Sequence, residues 1–164
     1  MVGDSITFMS LEPLHAMFAA DGFTEVTVDA VPGRPIAEGV DIVELVVASG
    51  PAPDVWVVAL GTNDLYYSTD VTAYRALVDS LLVQIPKGAP VVWVDTFIRD
   101  RIAESRAFNE ALAEALDERG DAQIARWFAR CESEGELLLA SDGVHPTDTG
   151  AIAFADVVRQ AIDS

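Results

Sequence analysis

Residues 54–64 read DVWVVALGTND, a nearly continuous apolar run followed by a glycine and three polar residues. An apolar run of this length, bounded by Pro53 and Gly61, is typical of a strand that is buried on both faces. Such strands occur in parallel sheets with helices above and below. The segment therefore predicts a central parallel strand over 54–60, with a polar turn at its carboxyl end.

The rest of the chain alternates between strand-like and helix-like patterns. Apolar spacing predicts further strands over 23–31, 89–95 and 122–128, and helices over 6–20, 36–49, 71–85, 108–116 and 146–162. The segment 96–105 is predicted as a loop, and 131–140 as a loop with room for a short helix. This alternation, with right-handed crossovers, predicts an α/β fold with helices on both faces of a parallel sheet.

Only Met1 and Val2 precede Gly3, where the pattern calls for a buried strand of about five residues. Either the first strand is rudimentary, or the sequence starts within the domain, and the residues fit both interpretations. The 164 residues suffice for one ordinary hydrophobic core. We therefore treat 1–164 as a single domain.

The charge balance limits the classes of partner. The chain has 10 Lys and Arg against 27 Asp and Glu, a formal net charge of −17, which would repel nucleic acid and anionic membrane surfaces. No apolar run approaches the ~20 residues that span a bilayer, so we expect no nucleic-acid partner and no membrane insertion by this segment. The N-terminus lacks a signal-peptide pattern, so the expected compartment is cytoplasmic, or extracytoplasmic if this sequence is a piece of a longer chain.

Two fragments at opposite ends of the chain together predict a nucleophilic site. In 142–145 (DGVH), Asp142 stands three residues before His145 on a turn with a glycine, so it can accept the imidazole Nδ1–H and leave Nε2 free to take a proton. A serine hydroxyl needs such a base, and Ser5 follows directly after the first strand. Because functional residues gather at the carboxyl ends of parallel strands, Ser5, His145 and Asp142 can converge as a triad.

Acyl transfer also needs donors aimed at the oxygen that becomes negative. Such an oxyanion hole would be formed by the backbone N–H groups of Ser5 and Gly33 and the side-chain amide of Asn63. Each donor would lower the activation barrier by ~3 kcal/mol. Neighbouring residues are assigned supporting roles: Asp4, Gly61 and Asp64. Asp64 is expected to hold the Asn63 loop through backbone hydrogen bonds.

Each motif alone also has an ordinary structural interpretation. Ser5 would serve as a helix N-cap, 63–64 as an Asx turn, and 142–143 as a plain turn. Their joint occurrence at predicted strand ends favours the functional interpretation. Residues expected to line an acyl or alcohol pocket are Arg34, Tyr66, Tyr67 and Phe97.

The four blocks resemble those of the SGNH hydrolases, also called the GDSL-like esterase superfamily, which carry Ser, Gly, Asn and His in turn. The matching segments are 3–7 (GDSIT), Gly33 within 29–34, 61–64 (GTND) and 142–146 (DGVHP). The resemblance covers essentially the whole chain. It implies a flavodoxin-like three-layer α/β/α sandwich with strand order 2-1-3-4-5, and ester chemistry that uses neither a metal nor another cofactor.

A narrower resemblance concerns the C-terminal part. Trp127 in a late strand, the pair Leu137-Leu138 and Gly150 are similar to SGNH domains attached to membrane-bound acyltransferases, which O-acetylate cell-surface glycans. That subgroup tends to carry Asp-Trp where this chain has Arg126-Trp127.

Three functions follow as hypotheses. The first is a serine hydrolase that cleaves short-chain or acetyl esters of small molecules or glycans through an acyl-enzyme. The second is an O-acetyltransferase that uses the same triad with a sugar hydroxyl as acceptor, and the third is a catalytically silent glycan-binding module. A nucleotide-binding function is disfavoured, because the chain has no glycine-rich phosphate loop.

Overall fold

The computed structural model describes residues 1–68 and 70–164, and within them it contains a five-stranded parallel sheet. The strands are β1 (Val2–Gly3), β2 (Asp29–Ala30), β3 (Trp56–Ala59), β4 (Val91–Val94) and β5 (Ala122–Ala125). Their order is β2-β1-β3-β4-β5, with every neighbouring pair parallel. The predicted order 2-1-3-4-5 is confirmed.

Helices cover both faces of this sheet. They are α1 (Ser5–Met9), α2 (Leu11–Ala20), α3 (Ile36–Ser49), α4 (Asp64–Tyr67), α5 (Val71–Leu82), α6 (Ile102–Arg119), α7 (Trp127–Leu138) and α8 (Asp148–Ile162). Helices α3, α5 and α6 pack side by side on one face, and α2, α8 and α7 on the other. The predicted three-layer α/β/α sandwich is therefore confirmed. Among the helices of the described residues, none is both long and apolar enough to cross a bilayer.

Strands β3 and β4 form the centre of the core. All four residues of each strand are buried, as their continuous apolar sequences require of strands covered by helices on both faces. Trp93 of β4 is fully buried, and its indole N–H donates to the carbonyl oxygen of Leu60 at 3.0 Å. This bond satisfies the polar atom of a large core side chain and ties β4 to the end of β3.

The first strand is short, yet it is held from both sides. Val2 pairs with Asp29 of β2 and with Val58 of β3, and both residues of β1 are buried. The carbonyl oxygen of Gly3 accepts the N–H of Val31 at 3.2 Å. Two residues thus suffice to place the start of α1, because the neighbouring strands fix them on both edges.

The predicted helix over 6–20 is two helices, and the predicted strand over 23–31 is much shorter. The helix breaks at Ser10, which is buried and whose hydroxyl donates back to the carbonyl oxygen of Ile6 at 2.8 Å. Serine side chains compete in this way with the helical backbone bonds. Of the segment 23–31, only Asp29 and Ala30 form a strand, since β1 offers only two residues to pair with.

The sequence prediction is wrong between 122 and 140. Strand β5 ends at Ala125, and a helix, α7, begins at Trp127 where the prediction had the end of a strand and then a loop. The carboxylate of Asp95, at the end of β4, accepts the N–H of Phe128 at 2.6 Å. A carboxylate at this position satisfies a free donor of the first helical turn and favours the helix. Trp127 is consequently buried at a helix start, not in a strand.

Candidate active site

Three of the predicted residues lie together in a linear chain of hydrogen bonds. Ser5 opens α1 directly after β1, and His145 lies in the loop before α8. The Oγ of Ser5 is 2.9 Å from Nε2 of His145, and Nδ1 of His145 is 2.8 Å from a carboxylate oxygen of Asp142. This is the order of contacts that a nucleophile, a base and an orienting carboxylate require.

The loop that carries Asp142 and His145 is fixed by its own backbone. The second carboxylate oxygen of Asp142 accepts the N–H groups of Val144 and His145, each at 3.0 Å. Gly143 has a φ of +70°, and a Cβ at this position would lie 2.5 Å from Cβ of Arg99. Glycine is therefore required here by both the backbone conformation and the close approach.

Asp142 is held in its charged form. Burial alone would raise its pKa, but the hydrogen bonds from the His145 ring and from two backbone N–H groups outweigh this effect and lower the pKa to about 2. A carboxylate at Nδ1 favours the tautomer whose Nε2 accepts a proton and stabilises the imidazolium that then forms. The side chain of Asp142 is 50% exposed and that of His145 36%, so the triad opens to solvent on one side.

The amide of Asn63 reaches two other segments of the site. Its Nδ2 donates to Oδ2 of Asp4 at 3.1 Å and to the carbonyl oxygen of Arg34 at 3.2 Å. Gly33 immediately precedes Arg34 and has a φ of +83°. The structure thus brings Asn63 against the residue before Ser5 and against the turn that contains Gly33, while the role of Ser5, Gly33 and Asn63 as an oxyanion hole stays a prediction.

Asp4 is a buried carboxylate directly before Ser5. It is 1% exposed, and its Oδ1 accepts the N–H of Ile6 at 2.9 Å, which makes it the N-cap of α1. Burial is the main cause that raises its pKa to about 6. Asp4 thus contacts both the helix that carries Ser5 and the side chain of Asn63.

Two further predicted residues fix the turn after β3. The N–H of Ile36, at the start of α3, lies 3.2 and 3.0 Å from the two carboxylate oxygens of Asp64, whose pKa burial raises to about 6. Gly61 has a φ of +127°, and a Cβ there would lie 2.4 Å from the ring of Phe108. Asp64 ties the Asn63 turn to α3, and Gly61 lets the same turn pass close to α6.

Arg34 is a structural brace, although its position suggested a pocket wall. It is 5% exposed, and its guanidinium donates to the carbonyl oxygens of Gly3 and Asp29, at 3.2 and 2.8 Å. It also forms an ion pair of 2.6 Å with the Asp29 carboxylate. Phe97 is likewise buried, whereas Tyr66 and Tyr67 are 51% and 78% exposed beside the Asn63 turn.

Sequence reasoning did not single out Asp95, a carboxylate that directly follows β4. Burial raises its pKa to about 7, with the N–H of Phe128 and the charge of Arg126 acting in the opposite direction. The available signal was its place directly after a buried strand, since Ser5 and Asn63 also lie in the turns that follow strands. In the part of the chain that the structure describes, no group of three or more His, Cys, Asp or Glu side chains is arranged to hold a metal ion.

Many solved structures have this fold. The C-terminal catalytic domain of peptidoglycan O-acetyltransferase A (OatA) from Streptococcus pneumoniae has 19% identity and a TM-score of 0.82, over 99% of this chain and 90% of that one. A lipase/acylhydrolase from Enterococcus faecalis has 18% identity and a TM-score of 0.80, over 97% and 93%. The acetylxylan esterase Axe2 from Geobacillus stearothermophilus has 16% identity and a TM-score of 0.72, over 99% and 92%.

These identities establish a shared fold, and the family follows from the sequence. A comparison with curated protein sequences finds no significant match. The model of the GDSL-like lipase/acylhydrolase family matches residues 1–152, and this match and the structural neighbours confirm the resemblance to SGNH hydrolases. The chain therefore belongs to the GDSL-like lipase/acylhydrolase family.

Proposed function

We propose that this protein is a serine esterase that cleaves carboxylic esters through an acyl-enzyme. The observation that carries the proposal is the continuous chain from Ser5 Oγ through the His145 ring to the Asp142 carboxylate, with contacts of 2.9 and 2.8 Å. A hydroxyl becomes a useful nucleophile when a base within hydrogen-bond distance can take its proton. Family membership supports the same reaction class.

The first half of the reaction forms the acyl-enzyme. The Oγ of Ser5 attacks the ester carbonyl carbon while Nε2 of His145 takes the hydroxyl proton, and the carbonyl oxygen becomes negative. Donors for this oxygen are the backbone N–H groups of Ser5 and Gly33 and the Nδ2 of Asn63. The tetrahedral intermediate then collapses, the C–O bond to the alcohol breaks, and His145 gives its proton to the leaving oxygen.

The second half restores the enzyme. A water molecule attacks the acyl carbon, His145 takes one of its protons, and the bond to Ser5 Oγ breaks as the proton returns to that oxygen. The charged Asp142 stabilises the imidazolium in both halves. Asp4, Gly61 and Asp64 support the site by fixing the segments that carry the donors, and we assign the whole range 1–164 to one domain of this type.

We infer that the substrates are short-chain esters, acetyl esters in particular, of small molecules or carbohydrates. The exposure of His145 and Asp142 favours esters that project from a bulky alcohol, because such an alcohol can remain in solvent while the acyl group reaches Ser5. The exposed Tyr66 and Tyr67 beside the Asn63 turn offer rings with an apolar body and a polar tip. Similar structures include an acetylxylan esterase, which supports a carbohydrate ester as substrate.

Labelling with a fluorophosphonate probe tests the proposal. The probe reacts with a serine whose hydroxyl is activated, so we expect one adduct on the peptide that contains Ser5 and none in the Ser5→Ala variant. His145→Ala should abolish labelling while Ser5 is still present. A folded wild-type protein that takes no label would contradict the esterase and leave the catalytically silent glycan-binding module as the better explanation.

An O-acetyltransferase is the second candidate. The acyl-enzyme is the same, but a sugar hydroxyl takes the place of water as the acceptor. The exposure of Asp142 and His145 favours this option, since a bulky acceptor can approach the base from solvent. Transfer and hydrolysis are separated by supplying an acetyl donor with and without a glycan acceptor and measuring acetylated glycan against free acetate; acetate alone would argue against the transferase.

A further inference from the structure

The amide of Asn63 is useful in an oxyanion hole only in one of its two orientations. Its nitrogen donates, whereas its oxygen would repel a developing negative charge. Both contacts that the structure gives to Nδ2 are to oxygen atoms that cannot donate: the Asp4 carboxylate at 3.1 Å and the Arg34 carbonyl at 3.2 Å. Two acceptors therefore select the orientation in which the nitrogen, and not the oxygen, faces Asp4 and the Arg34 carbonyl.

The two acceptors differ in strength. Hydrogen bonds to an ionised carboxylate are stronger than those to a neutral carbonyl. The N–H that points to the Arg34 carbonyl is therefore the one more easily shared with a developing oxyanion, while the bond to Asp4 keeps the amide in place. Arg34 itself is fixed, because its buried guanidinium is bound to Asp29 and to the Gly3 carbonyl.

The Asp4 carboxylate is also held on its other side. Its Oδ1 accepts the N–H of Ile6, in the first turn of the helix that Ser5 opens, and only 1% of Asp4 is exposed. One rigid carboxylate thus connects the backbone around the nucleophile with the side chain of Asn63, 59 positions away. A displacement of the start of α1 would therefore also move a group that holds the Asn63 amide.

We propose that Asp4 is a positioning residue for ester cleavage, whose charged carboxylate selects and holds the orientation in which Asn63 donates to the oxyanion. The inference rests on the proposed function and deepens it. It assigns no contact between Asp4 and the substrate. Asp4 acts on the transition state through Asn63, so its effect belongs in kcat rather than in KM.

The assay conditions follow from the surroundings of Asp4. Burial raises its pKa to about 6, with His145 acting to lower it and Asp64 to raise it. Asp95 lines the same small pocket as Asp4, and Arg34 donates to the adjacent Gly3 carbonyl. Measurements at pH 8 keep Asp4 charged in the wild type.

Asp4→Asn is the test variant, because asparagine keeps the size and the N-cap of α1 but its amide can both donate and accept. We expect kcat to fall by about 10-fold or more, with KM within about 2-fold. In an Asn63→Ala background the same change should alter kcat by less than about 2-fold, since the group it positions is gone. Independent, multiplying effects of the two substitutions would overturn the proposal, as would an unchanged kcat in Asp4→Asn.

A matched control is Asp70→Asn, the same substitution at the N-cap of α5, where the Asp70 side chain accepts the N–H of Thr72. It should leave kcat unchanged. If Asp4→Asn does not fold, the exchange of the Asn63 side-chain NH₂ hydrogens with water in the wild-type protein decides: slow exchange is expected, and exchange as fast as that of a free asparagine side chain would overturn the proposal. A wild type without esterase activity would refute the proposed function instead, so the two failures are distinguishable.

Discussion

Nε2 of His145 lies 2.9 Å from Oγ of Ser5, although 140 positions separate the two residues in the chain. The contact follows from the packing of three helices: α8 starts just after His145 and packs against α2, which follows α1 and its first residue, Ser5. The site therefore depends on the fold as a whole, because neither end of the chain forms it alone.

Ser5→Ala removes the proposed nucleophile. We expect kcat for p-nitrophenyl acetate to fall by at least about 10⁴-fold, because the remaining donors cannot replace a covalent step. Circular dichroism should show an unchanged fold. Ser133→Ala, on the exposed side of α7, is the control and should keep full activity. Comparable turnover by the Ser5 and Ser133 variants would refute the assignment.

Asp142→Asn tests the orienting carboxylate. Asparagine can still accept a backbone N–H, but it carries no charge to stabilise the imidazolium and can favour the wrong tautomer of His145. We expect kcat to fall by up to roughly 10⁴-fold, and by less than in Ser5→Ala because Asp142 is half exposed and water replaces part of its effect. Steady-state kinetics with the same ester measures the change, and a kcat within 2-fold of wild type would contradict the role.

Asn63→Ala tests the predicted oxyanion donor. Removal of one such donor lowers kcat by about 10²- to 10³-fold in comparable sites, with little change in KM. We expect this result here, since Nδ2 of Asn63 donates to Asp4, the residue that precedes Ser5. The measurement is kcat and KM for a short-chain ester; a rise in KM with kcat unchanged would assign Asn63 to substrate binding instead.

The parts of the fold that could be predicted are those decided by local apolar pattern. Strands β3 and β4 are continuous apolar runs, and helix α8 shows clear amphipathic spacing, so both types of element are visible in the sequence. The convergence of Ser5 and His145 could also be predicted, because it requires only parallel strands whose carboxyl ends meet. The order of four short motifs along the chain was sufficient to predict this convergence.

The parts that could not be predicted depend on contacts between distant segments. Helix α7 begins at Trp127 because a carboxylate 33 positions before Phe128 accepts its N–H, and nothing near Trp127 in the sequence shows this. Arg34 was expected at a pocket wall, but the structure buries it against Asp29 and the Gly3 carbonyl. In both cases tertiary hydrogen bonds decide the conformation, and local propensity does not reveal them.

Gly150→Ala should destabilise the protein. A Cβ at Gly150 would lie 1.9 Å from the carbonyl oxygen of Leu138, at the end of α7, and backbone atoms cannot rotate away. Overpacking of this kind costs about 1–3 kcal/mol. Gly50→Ala is the control: its φ of 165° is extended backbone and no atom lies within 4 Å of the added Cβ, so its free energy of unfolding should stay within about 1 kcal/mol. Urea unfolding compares the two variants. Equal midpoints would contradict the close approach of Gly150 to the Leu138 carbonyl oxygen.

Stability should rise as the pH falls from 7 to 5, where the shifts of three carboxyl groups outweigh the opposite effect of the Met1 amino group, whose pKa burial lowers to about 6. Burial raises the pKa of Asp4 and Asp64 to about 6 and that of Asp95 to about 7, above the ordinary aspartate pKa of 3.8. Between pH 3.8 and these raised values, the three carboxyl groups bind more protons in the folded state than in the unfolded state. Their contribution to stability is therefore complete below pH 3.8 and is lost as the pH rises through 6 to 7. Asp95→Asn, which can still accept the N–H of Phe128, should raise the melting temperature at pH 8 and flatten its dependence on pH. Equal destabilisation by Asp95→Asn at pH 5 and pH 8 would show that burial does not penalise its charge.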